Sequence, residues 1–273
     1  MKKFKVLGER NTGTNFLEQL VRLNFDLPST KVFGKNLSTE SKDRTTQYSI
    51  ASNDYIKDKR IRNKMLRNIL RQRELDYIRL LHSEEEITWK HAQIDAELRR
   101  QIKEDYDDIL FIAITRNPIN FLLSLFAKPY NLIMHEYKTK SFSEFIRSPI
   151  VLNYRDRSVP IVKNPVLLWK IKTLSYCECK EKNYHLIKYE DLVLDSASFI
   201  KKLSLKFDLD LVHEDVKIPE VSTKDDNRTQ QDFIDLVKHF SPLKHISQQD
   251  FEFICEELGD KCLNETGYEY LFK

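Results

Sequence analysis

Glycine and cysteine are both scarce in this chain. Only five glycines occur among its 273 residues. The four cysteines, at positions 177, 179, 255 and 262, lack the paired spacing of a zinc site and are too few for a disulfide scaffold. We therefore predict buried or bystander thiols, with a bridge between Cys255 and Cys262 as the alternative in an oxidising compartment.

Long apolar runs and a strong charge excess are also missing. No stretch approaches the roughly 18 uninterrupted apolar residues that would span a bilayer, so no transmembrane segment is expected. The 45 basic residues nearly balance the 42 acidic ones, and a net charge of +3 gives no overall field that would attract nucleic acid or a membrane surface. Residues 1–5 lead into a strand pattern instead of a signal sequence, so we predict a cytoplasmic protein.

The order of strand-like and helix-like segments predicts an α/β fold. The 41% hydrophobic content is enough for one large core, and residues 1–273 are predicted to form a single domain. Strand patterns at Phe4–Leu7, Ile109–Thr115 and Tyr184–Tyr189 alternate with helical patterns, which favours a central parallel sheet flanked by helices on both faces. The helical patterns begin near Phe16, run from about Asp95 to Tyr106, follow Pro118, and cover Val166–Lys182 and Ser198–Phe207.

The segment between about residues 30 and 85 does not fit this alternation. Ser29–Asp54 is polar with little periodicity, which is typical of a long loop. Ile56–Leu81 has apolar residues at helical spacing and many basic residues on the other faces. We predict a helical insertion here, whose basic face is either simply solvated or binds an anionic substrate.

Two of the five glycines bracket a loop between the first strand pattern and the first helical pattern. The loop runs from Gly8 to Asn15 and contains one guanidinium and two hydroxyl groups. Backbone amides at a helix N-terminus, with these donors, suit a bound oxyanion. The loop resembles a P-loop in position, but it lacks the lysine that a nucleotide-triphosphate P-loop needs. An ordinary strand-to-helix turn is the alternative.

A second group of donors follows the most apolar strand pattern. Arg116 comes directly after Ile109–Thr115, and Ser124 lies eight residues further on, about two helical turns away. Asn117 and Pro118 are typical of the start of a helix. A phosphate beside this helix would receive one charged and one hydroxyl donor, although either residue alone would suggest only a surface role.

These residues resemble the sulfotransferase family that uses 3′-phosphoadenosine 5′-phosphosulfate (PAPS). The run Arg-Asn-Thr-Gly-Thr-Asn, which begins at Arg10, is similar to the family's N-terminal loop for the 5′-phosphosulfate. Arg116 with Ser124 is similar to its 3′-phosphate motif, and Tyr189-Glu190-Asp191-Leu192 to its third landmark. The three landmarks occur in the family's order between residue 4 and about residue 195.

The resemblance implies a role for each matching residue. Arg116 and Ser124 would hold the 3′-phosphate of PAPS, and Tyr189 would border the adenosine. Arg228 or Lys224, in a polar loop near the C-terminus, would meet the 3′-phosphate, although the family's glycine-containing pattern is absent there. The 5′-phosphosulfate would be bound by Arg10, Asn11, Thr12, Gly13, Thr14 and Asn15.

One position in the loop departs from the family. Many members have a lysine where this chain has Asn11. Because Arg10 is adjacent and cationic, we expect it to stabilise the leaving phosphate instead. No metal is required for the direct in-line displacement that the resemblance implies, and 3′-phosphoadenosine 5′-phosphate (PAP) would be the product.

A hydroxyl acceptor loses a proton as it attacks sulfur, and histidine titrates near neutrality. His91 follows Thr88-Trp89-Lys90, which we predict to be a short strand, and it resembles the catalytic histidine of the family's cytosolic branch. Lys90 would offset charge on the transferring group. A structural role for His91, or Glu18 or Glu9 as the base, are the alternatives. His91 is preferred over His82, His135, His185, His213, His239 and His245 because parallel-sheet enzymes place chemistry at strand ends.

The acceptor is predicted to be a carbohydrate. The basic stretch Lys57–Arg73 suits an anionic or sugar ligand, and a phenolic or steroid acceptor would favour a more apolar pocket. Aromatic residues that suit a sugar are Tyr48, Tyr55, Tyr130 and Tyr137.

Two other functions are the rivals. A nucleotide or small-molecule kinase would need ATP and magnesium, and the missing lysine counts against it. A nucleic-acid-binding module would show affinity that falls steeply with salt, and the near-neutral charge counts against that.

Overall fold

The computed structural model describes residues 1–30, 87–128, 141–152, 154–159, 161–219 and 228–272. Most of the predicted insertion at about 30–85 therefore lies outside the described residues. The same holds for Lys224, His82, His135 and the predicted acceptor residues Tyr48, Tyr55, Tyr130, Tyr137 and Lys57–Arg73.

The central sheet is parallel, as predicted. The strands are β1 (Lys3–Leu7), β2 (Ile109–Thr115), β3 (Ile150–Val151), β4 (Ile161–Val162) and β5 (Tyr184–Lys188). In the central sheet, the order is β1-β2-β5, and Ile112 of β2 lies opposite Val6 on one side and His185 on the other. The two short strands β3 and β4 pair antiparallel apart from it.

Helices connect and cover the strands. They are α1 (Thr14–Asn24), α2 (Ala96–Glu104), α3 (Pro118–Ala127), α4 (Phe142–Ile146), α5 (Pro165–Glu178), α6 (Tyr189–Leu194), α7 (Ser196–Phe207), α8 (Gln230–Lys238) and α9 (Gln248–Thr266). The side chain of Asn117 accepts the N–H groups of Ile119 and Asn120, so α3 begins where the sequence predicts. Asn164 begins α5 in the same way. None of the described helices is long and apolar enough to cross a bilayer.

Both faces of β2 are covered, which explains why all seven of its residues are buried. Leu110, Ile112 and Ile114 point into a core with residues of α1, α6 and α7. Ile109, Phe111 and Ala113 point to the opposite face and pack with residues of α2 and α5. This alternation is the pattern expected of a strand in the middle of a parallel sheet.

The structure differs from the prediction at residues 88–91. The predicted strand at residues 88–91 is wrong, because these residues form a turn in which Ala92 N–H donates to Trp89 O at 2.9 Å. Trp89 and His91 are buried, and this burial, not pairing in a sheet, accounts for the β-prone residue types in the segment.

The four cysteines are free, as predicted, so the alternative bridge between Cys255 and Cys262 is absent.

Candidate functional site

The loop between β1 and α1 is folded tightly against the side chain of Tyr189. Gly13 has φ +91, and a Cβ atom at this position would lie 2.6 Å from Tyr189 Cδ2. Only glycine fits that approach without strain. Asn11 also has a positive φ, of 64°. The loop therefore has a specific shape that depends on the residue at the start of α6.

Arg116 joins this loop to the helix that follows β2. Its Nη1 donates to the backbone oxygen of Asn11 at 2.7 Å and to Ser124 Oγ at 3.2 Å. Its guanidinium carbon lies 4.6 Å from the centroid of the Tyr189 ring. The structure thus brings together one residue from each of the three segments that the sequence singles out.

The backbone beside Arg116 is fixed by buried groups. Trp169 Nε1 donates to the Arg116 backbone oxygen at 2.8 Å, and Asn117 N–H donates to Glu190 Oε1 at 3.0 Å. The other oxygen of Glu190 accepts the Tyr268 hydroxyl at 3.1 Å. Burial raises the pKa of Glu190, although these hydrogen bonds and the charge of Arg116 oppose the rise.

Among the described residues, no carboxylate forms an ion pair with Arg116, although its charge acts on the nearby Glu190. Its partners among the described residues are a backbone oxygen, a hydroxyl and an aromatic ring, and its buried Nε has no hydrogen-bond partner there. A partly buried guanidinium whose described hydrogen-bond partners are neutral favours the binding of an anion beside it.

A cavity of about 820 Å³ opens beside these residues. That volume is in the range of small-molecule sites. The far wall consists of residues of α8 and the segment after it, including Phe233, Asp235 and Phe240, which the sequence reasoning missed. Of the residues predicted to bind the nucleotide, the cavity is lined by Asn11, Gly13, Thr14, Asn15, Arg116, Ser124, Tyr189 and Arg228.

Arg10, Thr12 and Lys90 do not line this cavity, although each belongs to the loop or contacts it. Thr12 is buried, and its hydroxyl donates to the Glu9 backbone oxygen at 2.5 Å. The guanidinium carbon of Arg10 lies 4.4 Å from the centroid of the Trp89 ring. Lys90 Nζ donates to Asn15 Oδ1 at 2.6 Å, which places this lysine at the end of the loop.

His91 is buried behind the loop. Its Nδ1 lies 2.6 Å from the Gly8 backbone oxygen, so Nδ1–H is the donor and Nε2 carries the lone pair. Burial, followed by the charge of Arg10, lowers the pKa of His91 well below its ordinary value. The ring is therefore neutral at neutral pH. Of the other described histidines, His239 and His245 line the cavity, whereas His185 lies in β5 and His213 is exposed.

Glutamates also lie close to these groups. Glu18 Oε2 lies 3.9 Å from Lys90 Nζ, and Glu18 also accepts from Arg22 at 2.9 Å. The carboxylate of Glu9 is buried and pairs with Lys172. Glu18 is therefore the more accessible of the two glutamates that the sequence leaves open as bases.

The chain has a sulfotransferase-like fold. The crystal structure of mouse sulfotransferase SULT7A1 complexed with PAP is similar with a TM-score of 0.50 and 15% identity, over 98% of this chain and 89% of that chain. The sulfotransferase domain of the Synechococcus PCC 7002 olefin synthase gives 0.44 and 12%, over 94% of each chain. No family model matches the sequence, and no curated protein does. At 15% identity, the similarity to the mouse structure shows the fold alone.

Proposed function

We propose that this protein transfers a sulfuryl group from PAPS to a hydroxyl or amine group of a glycan. The observation that carries the proposal is that Arg116, Ser124 and the loop lie together at one cavity, and that the hydrogen-bond partners of Arg116 in the described part of the chain are neutral. The sulfotransferase-like fold supports it, as does the PAP named with the mouse structure.

The residues around the cavity fit a nucleotide with phosphates at two positions. Arg116 and Ser124 would bind the 3′-phosphate, because they offer a charged donor and a hydroxyl donor 3.2 Å apart. The loop residues Gly13, Thr14 and Asn15 would bind the 5′-phosphosulfate at the N-terminus of α1. Tyr189 would border the adenosine, and Arg228 would add a second cation.

A second group of residues would act on the transferring group. PAPS supplies an activated sulfuryl group, and the acceptor displaces the nucleotide in line without a covalent enzyme intermediate. Arg10 would stabilise the leaving phosphate, and Lys90 would offset the charge that develops near the end of the loop. Lys90 already contacts Asn15 at 2.6 Å, which supports this assignment.

The acceptor proton needs a base. His91 is our first choice because it is neutral, with a lone pair on Nε2. Its ring is buried behind the loop, so this role requires that the acceptor reach Nε2 there. Glu18, near Lys90, is the second choice. A variant series of His91→Gln and Glu18→Gln decides between them, since only loss of the true base should lower kcat sharply at neutral pH.

The acceptor class rests on sequence features alone, because the basic and aromatic residues that favour a glycan lie outside the described residues. A cytoplasmic location and a single domain over residues 1–273 are likewise proposals. The acceptor can be identified by offering labelled PAPS with a panel of neutral and anionic oligosaccharides and simple phenols. Labelling of phenols in preference to sugars would overturn the glycan assignment.

Binding of PAP is the first test of the function. We expect PAP to raise the melting temperature of the protein by several degrees when it is about 100-fold above its Kd. Arg116→Ala should abolish that shift. Arg100→Ala is the matched control, because Arg100 forms ion pairs on the surface of α2. Stabilisation by ATP with magnesium, without an effect of PAP, would favour the kinase reading instead.

A further inference from the structure

A fully buried lysine links the loop to the turn that carries Lys90 and His91. Lys172, in α5, has no exposed surface and forms ion pairs with the carboxylates of Glu9 and Asp156. Its ammonium group also donates to the backbone oxygen of His91 at 2.7 Å. These three partners match the three donors of an ammonium group.

The loop and the turn also contact each other directly. Gly8 N–H donates to the Lys90 backbone oxygen at 2.8 Å, and His91 donates back to the Gly8 oxygen. Glu9 Oε1 accepts the backbone N–H of Arg10 at 2.7 Å. Because Glu9 contacts Lys172 with its other oxygen, the backbone of Arg10 is coupled to Lys172 through one carboxylate.

The same face of α5 holds the residues after His91. The Tyr176 hydroxyl donates to the Ala92 backbone oxygen at 3.0 Å, and Ile94 N–H donates to Ser175 Oγ at 3.2 Å. Asp156, the second carboxylate partner of Lys172, accepts Gln93 N–H on its backbone oxygen at 2.8 Å. Residues 91–94 are therefore held by α5 and by the segment at Asp156.

Lys172, Glu9 and Asp156 form a buried cluster of charged groups, and each group depends on the others. Burial alone would lower the pKa of Lys172, but the charges of Asp156 and Glu9 outweigh it and raise the pKa above its ordinary value. The lysine stays protonated. Removing it would take away the ammonium group that the buried carboxylates of Glu9 and Asp156 share, which is strongly unfavourable.

We propose that Lys172 is a positioning residue that fixes the Gly8–Arg10 segment and the Lys90–His91 turn in one arrangement. Its effect on catalysis rests on the proposed function, because Arg10, Lys90 and His91 are the residues assigned to the transferring group. Its effect on the loop does not, and can be measured in the free protein.

Amide hydrogen exchange of the free protein tests the arrangement. Lys172→Met risks unfolding, so it is compared with a neutral cluster that combines Lys172→Met with Glu9→Gln and Asp156→Asn. We expect the amides of residues 8–15 and 88–94 to exchange about tenfold faster or more in the neutral cluster, with β2 unchanged. Lys170→Met is the matched control, because Lys170 donates to backbone oxygens of Glu257 and Leu258 in α9. It should leave both segments unchanged.

Kinetics separates positioning from general stability. In the folded neutral cluster, kcat should fall by about tenfold to a hundredfold, while the Kd for PAP changes by less than about threefold. Unchanged exchange in both segments, or faster exchange with an unchanged kcat, would overturn the positioning role. If the wild-type protein does not bind PAP, the proposed function fails, and the exchange result still decides whether Lys172 orders the loop.

Discussion

Replacing Gly13 by alanine tests whether the loop is built against Tyr189. Gly13 has φ +91, and an L-residue in a left-handed conformation costs about 1–2 kcal/mol. A Cβ atom would also lie 2.6 Å and 2.9 Å from two carbons of the Tyr189 ring, well inside normal contact distance. Overpacking of this kind costs about 1–3 kcal/mol, so the total loss of stability should be roughly 2–5 kcal/mol.

The assay is thermal and urea unfolding, with a second left-handed glycine as the control. Gly267 has φ +69 and ψ 32, and a Cβ atom built there would meet only the flexible end of the Lys188 side chain. Gly267→Ala should therefore cost mainly the backbone energy. For a chain of this size, the loss at Gly13 corresponds to a fall in melting temperature of roughly 5–15 °C.

A double variant isolates the contact. Tyr189→Ala opens space, so Gly13→Ala should cost less in that background than in the wild type. PAP binding should fall in the Gly13 variant as well, because the loop amides move. If Gly13→Ala costs no more than Gly267→Ala, or if the two changes at Gly13 and Tyr189 are additive, the close approach of loop and ring is wrong.

Three further predictions concern the surroundings of the cavity. Asn117→Ala should destabilise the protein by about 0.5–2 kcal/mol in urea unfolding, because two N–H groups lose their cap. Trp169→Phe should weaken PAP binding in calorimetry, because the Arg116 backbone oxygen loses its donor. Burial and Lys206 lower the pKa of His185 to about 4, so the unfolded state binds more protons between about pH 6.5 and 4. Stability should fall as pH drops through that window, and less so in His185→Gln.

Much of the fold follows from local patterns. β2 is a run of six apolar residues and a threonine, followed by a helix cap and a proline, and strand and helix begin where these signals lie. Residues 88–91 show the limit of that reasoning. Their β-prone side chains are buried by long-range contacts, such as the pairing of Trp89 with Arg10 and Arg155, that no local pattern reveals.

The cavity lining could be predicted only in part, because some of it depends on contacts between residues far apart in the sequence. Arg116 and Ser124 lie two helical turns apart, so their contact is encoded by spacing. The far wall, formed by α8 and Phe240, carries no motif. The sequence does carry a signal for Lys172, because this residue lies at helical spacing from Leu168 and Tyr176 on the buried face of α5. A lysine on a buried helix face implies a buried carboxylate partner.

Helix α5 connects the two halves of the proposed site. Trp169 contacts the backbone of Arg116, at the end of the site proposed to bind the nucleotide. Lys172 contacts His91 and Glu9 behind the cavity lining. Residues three apart lie on one helix face, about one turn from each other. The separation of the two halves is therefore set by a single rigid turn, not by the flexible side chains that would contact a ligand. A change that shifts α5 should accordingly impair PAP binding and transfer together, whereas the neutral cluster at Lys172, Glu9 and Asp156 should lower kcat with little change in PAP binding.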